Sequence, residues 1–322
     1  MAGVINNNRT KSWKQDIIRS VDFYNDWFLN FAPTTYRQAR NEAIDKVDAV
    51  LIQTNNFSNI TSDILKQNPG VLSVLRMATA PPIARDRLVG LAGVSKNLVT
   101  KMEIGEIPQR IPPAVLDADL TKMISLIERL LDIDIFPWIK NGTTPSNASR
   151  RRAASIVADR VCGAAADPII RNEQEKRQLA AVSAYLNGKG YSYINPKDVG
   201  DFRDIPAGHY SYHFNVSASV SAESSTSVLI PVDVVIMRQG AKSGDFPVLV
   251  ECKSAGDFTN TNKRRKEEAT KIQQLRKTYG KQIEFILFLC GYFDSGYLGY
   301  EAAEGIDWVW EHRVSDFSRI GV

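Results

Sequence analysis

Cysteine is scarce in this chain. Its three cysteines, Cys162, Cys252 and Cys290, are too widely spaced for a zinc motif and lie in apolar surroundings. Such isolated cysteines are typical of reduced core residues in a cytosolic protein. The pattern therefore excludes a disulfide scaffold and a structural zinc site.

Long apolar segments are also missing. No run approaches the roughly 18 apolar residues needed to span a bilayer. Residues 1–13, MAGVINNNRTKSW, contain no apolar signal segment. We therefore expect a cytoplasmic protein with no membrane partner.

The composition is that of an ordinary globular protein. The 322 residues are 43% hydrophobic and 24% charged, with a net charge of +4, and this length suggests two domains. Positive charge gathers in residues 150–152, 171–177 and 262–271. Such clusters suit a polyanion such as DNA, although solvated helix faces would look the same.

Residues 227–253, SVLIPVDVVIMRQGAKSGDFPVLVECK, carry the strongest chemical signal. Two runs rich in Val, Ile and Leu flank a turn with several Gly, Ser and Asp residues, which predicts two strands in a hairpin. Asp233, Glu251 and Lys253 stand inside these apolar runs. A charge in a buried strand is costly unless it is paired or binds a metal, so these residues are candidates for a metal site.

The alternation of a strand places Glu251 and Lys253 on one face, about 6.6 Å apart along the strand. Cys252 faces the other way. Asp233 lies near the middle of the preceding strand, where it is expected to lie beside that pair.

The N-terminal part of the chain reads as helical. An apolar stripe from Trp13 to Phe31 predicts a helix that ends at Pro33, and a second helix starts at Thr34 or Thr35. Residues 83–108 resemble a helix-turn-helix whose second helix presents Lys96, Asn97 and Lys101 to DNA bases. An ordinary helical hairpin explains this segment equally well.

Residues 140–152, KNGTTPSNASRRR, form the best linker. They predict a largely helical N-terminal domain over 1–145, with DNA recognition as its role, and a second domain over 146–322.

A helix after this linker carries a further candidate acid. Its apolar stripe of Leu179, Val182 and Leu186, extended back by one turn, reaches Glu175. Glu175 would then point toward the sheet, although a surface ion pair with Arg171 is an alternative. Glu173 lies on a neighbouring face and is the less favoured acid.

The chain beyond Lys253 predicts a crossover unit. A Lys-rich helix begins near Thr261, and an apolar strand follows over residues 283–293. A strand, a helix and a strand in this order form a right-handed unit with parallel strands.

This order of elements resembles the PD-(D/E)XK nuclease superfamily. Pro231-Val232-Asp233 matches the first half of the motif and Glu251-Cys252-Lys253 the second, with Pro231 one residue farther from the aspartate than usual. The resemblance implies an α/β (α+β) fold, in which helices flank a mixed β-sheet core. Longer stretches resemble the XamI-like type II restriction endonucleases, namely residues 27–40, 81–94, 262–271 and 296–317.

The family implies Mg²⁺-dependent cleavage of double-stranded DNA at a short, palindromic site. Asp233, Glu251 and the backbone carbonyl of Cys252 would bind Mg²⁺, and Glu175 would bind a second ion or metal-bound water. Lys253 would orient or deprotonate the attacking water. The enzyme would act as a homodimer in a restriction-modification system. A cognate DNA methyltransferase is expected in that system, but not as a bound subunit.

A basic run opens the helix after the catalytic strand. Its members Lys263, Arg264, Arg265 and Lys266 are candidates for contacts with DNA phosphates. A solvated face paired with Glu267 and Glu268 is the alternative. For the whole chain, the competing functions are a structure-specific DNA resolvase or repair nuclease, and a non-catalytic helix-turn-helix regulator.

Overall fold

The computed structural model describes residues 4–219, 227–259 and 261–322, except for the side chains of residues 261–264. The chain divides into two compact units. One unit is Ala32–Ile170, and the other combines Met1–Phe31 with Arg171–Val322.

The Ala32–Ile170 unit is built from helices. Two long helices, α1 (Thr10–Gln53) and α8 (Asn147–Gly188), each contribute residues to both units. The helices between them are α2 (Ser62–Gln67), α3 (Val71–Met77), α4 (Arg85–Ala92), α5 (Lys96–Glu103), α6 (Pro113–Leu130) and α7 (Pro137–Asn141). Their apolar faces form a buried core that includes Leu65, Leu72, Leu98 and Leu120.

Two sequence-based boundaries differ from the structure. Residue 145 lies in the turn between α7 and α8, inside the Ala32–Ile170 unit, so the Asn- and Ser-rich segment marks a turn between helices. Pro33 does not end a helix, because α1 continues through it. The proline removes the helical hydrogen bond to the carbonyl of Leu29, and Leu29 is an exposed residue.

The other unit contains a mixed sheet. In the described part of the chain, six strands lie in sequence order: β1 (Ser192–Tyr193), β2 (His209–Ser219), β3 (Ser227–Ile236), β4 (Val248–Ala255), β5 (Glu284–Gly291) and β6 (Asp307–Trp310). The β3–β4 hairpin is antiparallel, whereas β4, β5 and β6 run parallel. The mixed α/β fold expected from the sequence is confirmed.

Helices cover both faces of this sheet. The apolar residues of α8 pack with one set of sheet residues, and we call this the α8 face. On the opposite face, the α9 face, apolar residues of helix α9 (Thr261–Tyr279) pack with another set. Strand β5 is buried on both faces, which explains its continuous apolar sequence. Helix α10 (Ser295–Ala303) follows β5, and a 3₁₀ segment, Glu311–Ile320, follows β6.

Strand β3 changes face at Asp233. Val232 belongs to the α9-face cluster, but Val234, two residues later, belongs to the α8-face cluster. Residues two apart in a regular strand share a face, so the strand turns over at the residue between them. Asp233 therefore stands where the alternation breaks.

Strand β2 turns over at the matching position. Tyr212 pairs with Val234, and Phe214 pairs with Val232, which places His213 opposite Asp233. His213 has a left-handed backbone, with φ of 51°, an uncommon conformation for a residue other than glycine. The paired turnover places Asp233 at an irregular point in the sheet.

Candidate active site

Asp233 lies where strands β3 and β4 separate. The paired positions of the hairpin run from Ile236 and Val248 to Val234 and Val250. Beyond them, the backbone N–H of Cys252 donates to Asp233 Oδ2 at 2.7 Å. The carboxylate thus takes the place of a strand carbonyl. Burial and the negative charge of Glu251 raise the pKa of Asp233 to about 6.

Glu251 is a buried carboxylate with two different oxygens. Its Oε1 accepts hydrogen bonds from Lys253 Nζ at 2.8 Å and from Lys271 Nζ at 2.5 Å. Its Oε2 has no hydrogen-bond partner among the residues that the structure describes. One side of the carboxylate is therefore neutralised by ammonium groups, and the other side can accept a ligand.

Lys253 is held as an ammonium. Burial disfavours its charge, but the carboxylates of Glu251, Glu268 and Asp233 together outweigh this effect and raise the pKa of Lys253 above its ordinary value. Glu268 Oε1 lies 3.5 Å from the same nitrogen. In this arrangement the ammonium donates a hydrogen bond to Glu251 Oε1.

A cavity of about 320 Å³ brings the predicted residues together. Its lining includes Asp233, Glu251, Cys252 and Lys253 from the hairpin, and Glu175 from α8. The expectation that α8 directs an acid toward the hairpin therefore agrees with the position of Glu175.

Glu175 stays about half exposed. The structure places His213 Nδ1 at 3.8 Å from its Oε1. Glu173 instead lies 3.7 Å from Lys176 on its own helix. Of the two acids, Glu175 is the one that lines the cavity.

Sequence reasoning did not assign three residues to this site: Gln178, Lys271 and Glu268, the last of which it considered only as part of a solvated face. The Gln178 amide is buried and donates to the carbonyls of Lys253 at 3.3 Å and Phe288 at 3.1 Å, so it ties α8 to two strands. Lys271 Nζ also lies 3.3 Å from the carbonyl oxygen of Pro231.

Glu268 and Lys271 had a readable signal. They lie one turn before Ile272 and Leu275, the buried apolar residues of α9. The same backward extension that found Glu175 on α8 would have found them.

A comparison with known families decides the identity of the chain. The family model of the XamI restriction endonuclease matches residues 55–310, a range that contains the whole candidate site. The chain belongs to the XamI restriction endonuclease family. It is therefore a type II restriction endonuclease, an enzyme that binds and cleaves DNA.

Two relatives of this XamI-family enzyme support the assignment. The type II restriction enzyme SalI from Streptomyces albus G is 49% identical over 318 residues, which cover 99% of this chain and all of the relative. The type II restriction enzyme XamI from Xanthomonas campestris pv. amaranthicola is 26% identical over 257 residues, 77% of this chain and 81% of the relative. No solved structure matches the chain significantly.

The donor atoms of the XamI-family site fit a divalent cation, which type II restriction enzymes generally use. Carboxylate oxygens are the ligands that hard cations prefer. Asp233 and Glu251 provide them, and Glu251 Oε2 is buried without a hydrogen-bond donor from the described residues. Over those same residues, no group of three or more His, Cys, Asp or Glu side chains is gathered closely enough to bind a metal unaided. Further ligands would come from water, DNA or the Cys252 carbonyl.

The candidate DNA contacts in residues 83–108 lie on α5. Lys96 Nζ is 3.3 Å from Asp86 and Lys101 Nζ is 2.6 Å from Glu106, whereas Asn97 is exposed. The two helices and the intervening turn were expected, but their role in base recognition stays a prediction. DNA binding would have to compete with both ion pairs.

The candidate contacts on α9 are only partly described. The side chains of Lys263 and Arg264 lie outside the described part of the structure. The Arg265 guanidinium stacks 3.7 Å from the centre of the Tyr300 ring, and Lys266 is exposed. Of Arg265 and Lys266, Lys266 is therefore better placed for an exposed phosphate contact.

No helix within the described ranges is long and apolar enough to cross a membrane.

Proposed function

We propose that this enzyme hydrolyses phosphodiester bonds of double-stranded DNA with Mg²⁺ at the Asp233–Glu251–Lys253 site. The observation that carries the proposal is the pairing of Lys253 with Glu251 beside Asp233, at the point where β3 and β4 separate. Charged groups persist in apolar strands when function requires them.

Asp233 and Glu251 would bind the cation through their carboxylate oxygens, with the Cys252 carbonyl and Glu175 as further ligand candidates. The bound cation would supply Lewis-acid stabilisation of phosphoryl charge and lower the pKa of bound water. Glu175, which is more exposed than the other two acids, would act at the outer side of the cavity.

Lys253 would act as a donor. Its ammonium would orient the attacking water or stabilise the charge that develops on the phosphoryl oxygens. The hydrogen bond that its ammonium donates to Glu251 Oε1 supports this donor role. The water proton would then pass to solvent or to a phosphate oxygen of the substrate.

Recognition and assembly complete the proposal. We assign sequence recognition to the helical unit, including Lys96, Asn97 and Lys101, and assign flanking phosphate contacts to Lys263, Arg264, Arg265 and Lys266. A homodimer on a palindromic site would give each DNA strand its own catalytic site. The enzyme would work in the cytoplasm, beside a separate DNA methyltransferase.

Lys253→Ala tests the catalytic assignment. We expect the variant to lose cleavage of plasmid DNA in Mg²⁺, because the donor at the reacting phosphate is removed. Its affinity for DNA, measured by fluorescence anisotropy without divalent cations, should stay within about threefold of the unmodified enzyme, which is less than 1 kcal/mol.

Lys281→Ala is the matched control for that experiment. It removes one exposed lysine that precedes β5 and does not line the cavity, and should cleave normally. Normal cleavage by Lys253→Ala would sink the proposed site. Discrete fragments from the unmodified enzyme, with sequenced ends, would give the recognition site and cut position.

A further inference from the structure

Glu268 is a buried acid that the fold alone does not explain. It lies on α9 with 1% of its surface exposed. Neither carboxylate oxygen has a conventional hydrogen-bond partner in the described part of the chain. Its ion partner is Lys253, whose Nζ lies 3.5 Å from Oε1. Burying a carboxylate with so few partners costs several kcal/mol, at about the magnitude known for buried ions.

Lys253 consequently lies between two buried carboxylates. Glu251 Oε1 is 2.8 Å from its ammonium on one side, and Glu268 Oε1 is 3.5 Å away on the other. Glu251 also accepts a hydrogen bond from Lys271 and is a proposed cation ligand, so Lys253 is one of several groups that interact with its carboxylate. Glu268 forms no ion pair with Lys271 among the described residues and is not a proposed cation ligand.

We infer that Glu268 is a positioning residue that holds the Lys253 ammonium in the cavity when Glu251 is engaged with the cation. This inference rests on the proposed function, since it gives Lys253 a partner for the reaction assigned to it. The long, flexible stem of a lysine has many rotamers, and a second buried anchor restricts them. Such restriction favours catalysis because a misplaced donor stabilises the transition state less.

The neighbours of Glu268 distinguish it from an ordinary surface acid. The adjacent Glu267 is exposed, as expected for a charged residue on an amphipathic helix. Glu301 on α10 is as buried as Glu268, but burial and the negative charge of Glu268 raise the pKa of Glu301 to about 8. Glu301 is therefore mostly neutral near pH 7, whereas Glu268 faces the ammonium. The two acids make a matched pair for an experiment.

The experiment compares Glu268→Gln with Glu301→Gln in the full-length enzyme. Both changes keep the side-chain volume. We expect Glu268→Gln to lower the single-turnover cleavage rate in saturating Mg²⁺ at least tenfold. Its DNA affinity and the Mg²⁺ concentration for half-maximal rate should stay within about threefold, less than 1 kcal/mol. Glu301→Gln should cleave within about twofold of the unmodified enzyme.

A purely structural role of Glu268 would give a different result. Glu268→Gln would then lower the thermal midpoint of unfolding and weaken DNA binding as well as lower the cleavage rate. Glu268→Asp adds a graded readout, because its carboxylate is retained but withdrawn by one methylene. Its rate should lie between those of Glu268→Gln and the unmodified enzyme, and it carries the test if Glu268→Gln does not fold.

The outcomes separate this inference from the proposed function. An inactive Lys253→Ala together with Glu268 variants that cut at the unmodified rate would overturn the role of Glu268 alone. Cleavage by Lys253→Ala would overturn the catalytic assignment itself. An equal loss of rate in Glu301→Gln would attribute the effect to general disturbance of the buried acids and would also overturn the positioning role.

Discussion

Single buried acids affect the stability of this enzyme as well as its chemistry. Glu301 has no exposed surface, and its pKa of about 8 lies far above the ordinary value of 4.5. Burial is the main cause, followed by the charge of Glu268. A raised pKa in the folded state means that the protonated form favours folding. This stabilisation is complete below pH 4.5 and is lost as the pH rises through 8.

Glu301→Gln should therefore change the pH dependence of stability. The amide keeps a neutral group of similar volume at every pH, so the variant and the unmodified enzyme should unfold alike near pH 4.5. At pH 8 and above, the variant should be more stable than the unmodified enzyme by a few kcal/mol. The upper limit is about 5 kcal/mol, the free energy that corresponds to the pKa shift of Glu301. Urea unfolding at both pH values measures the difference. A difference that is independent of pH would contradict this account.

The three side chains that sequence reading missed show what a sequence can supply at this scale. Asp233, Glu251 and Lys253 were recognisable because charges are conspicuous in apolar strands. Glu268 and Lys271 were overlooked because α9 has many charged residues, although the stripe of Ile272 and Leu275, extended back by one turn, reaches both of them. Gln178 is neutral, and its two carbonyl partners are distant in sequence.

At the scale of elements, most of the nuclease core could be predicted. The apolar runs and the turn between them identified the β3–β4 hairpin, and the single helix between β4 and β5 indicated parallel strands. Pro33 was misread because a proline usually ends a helix, whereas here a long helix continues through it. The turnover of β3 at Asp233 was also missed, since a period of two assumes an unbroken strand.

The turnover at His213 leads to a prediction about backbone strain. A β-branched residue is strongly disfavoured at φ of 51°, whereas glycine adopts it freely. We expect His213→Val to lower the free energy of unfolding by about 1–3 kcal/mol. His213→Gly should leave it unchanged or raise it slightly, because the exposed contact with Glu175 contributes little.

Cleavage rates should follow the same order as stability in these two variants. His213 lies opposite Asp233. A valine in place of His213 would therefore displace the Asp233 carboxylate as well as strain strand β2. Chemical unfolding and single-turnover cleavage measure the two effects. Equal behaviour of the valine and glycine variants would show that the left-handed conformation is unimportant.

At the scale of the whole molecule, the division into units was harder to predict than the elements. Residues 140–152 have the composition of a linker but lie within the Ala32–Ile170 unit. The actual divisions fall inside α1 and α8, near Pro33 and Pro168. A continuous helix has no loop composition to mark a boundary. Composition alone therefore could not locate either division.

The proposed homodimer can be tested through the number of DNA strands that it cuts. Within its described residues, the chain brings Asp233, Glu251 and Lys253 together at one cavity, so in the proposed dimer each chain would cut one strand of a symmetric site. A dimer with one unmodified chain and one Lys253→Ala chain should therefore cut a single strand. We expect it to convert a supercoiled plasmid with one recognition site mainly to nicked circles.

Two differently tagged chains, coexpressed and purified through both tags, provide this mixed dimer. The dimer with two unmodified chains should yield linear DNA, and the one with two Lys253→Ala chains should leave the plasmid supercoiled. Failure to recover both tags together would argue against a stable homodimer. Linear product formed by the mixed dimer at the unmodified rate would show that one site cuts both strands, because the second site in that dimer lacks its ammonium donor.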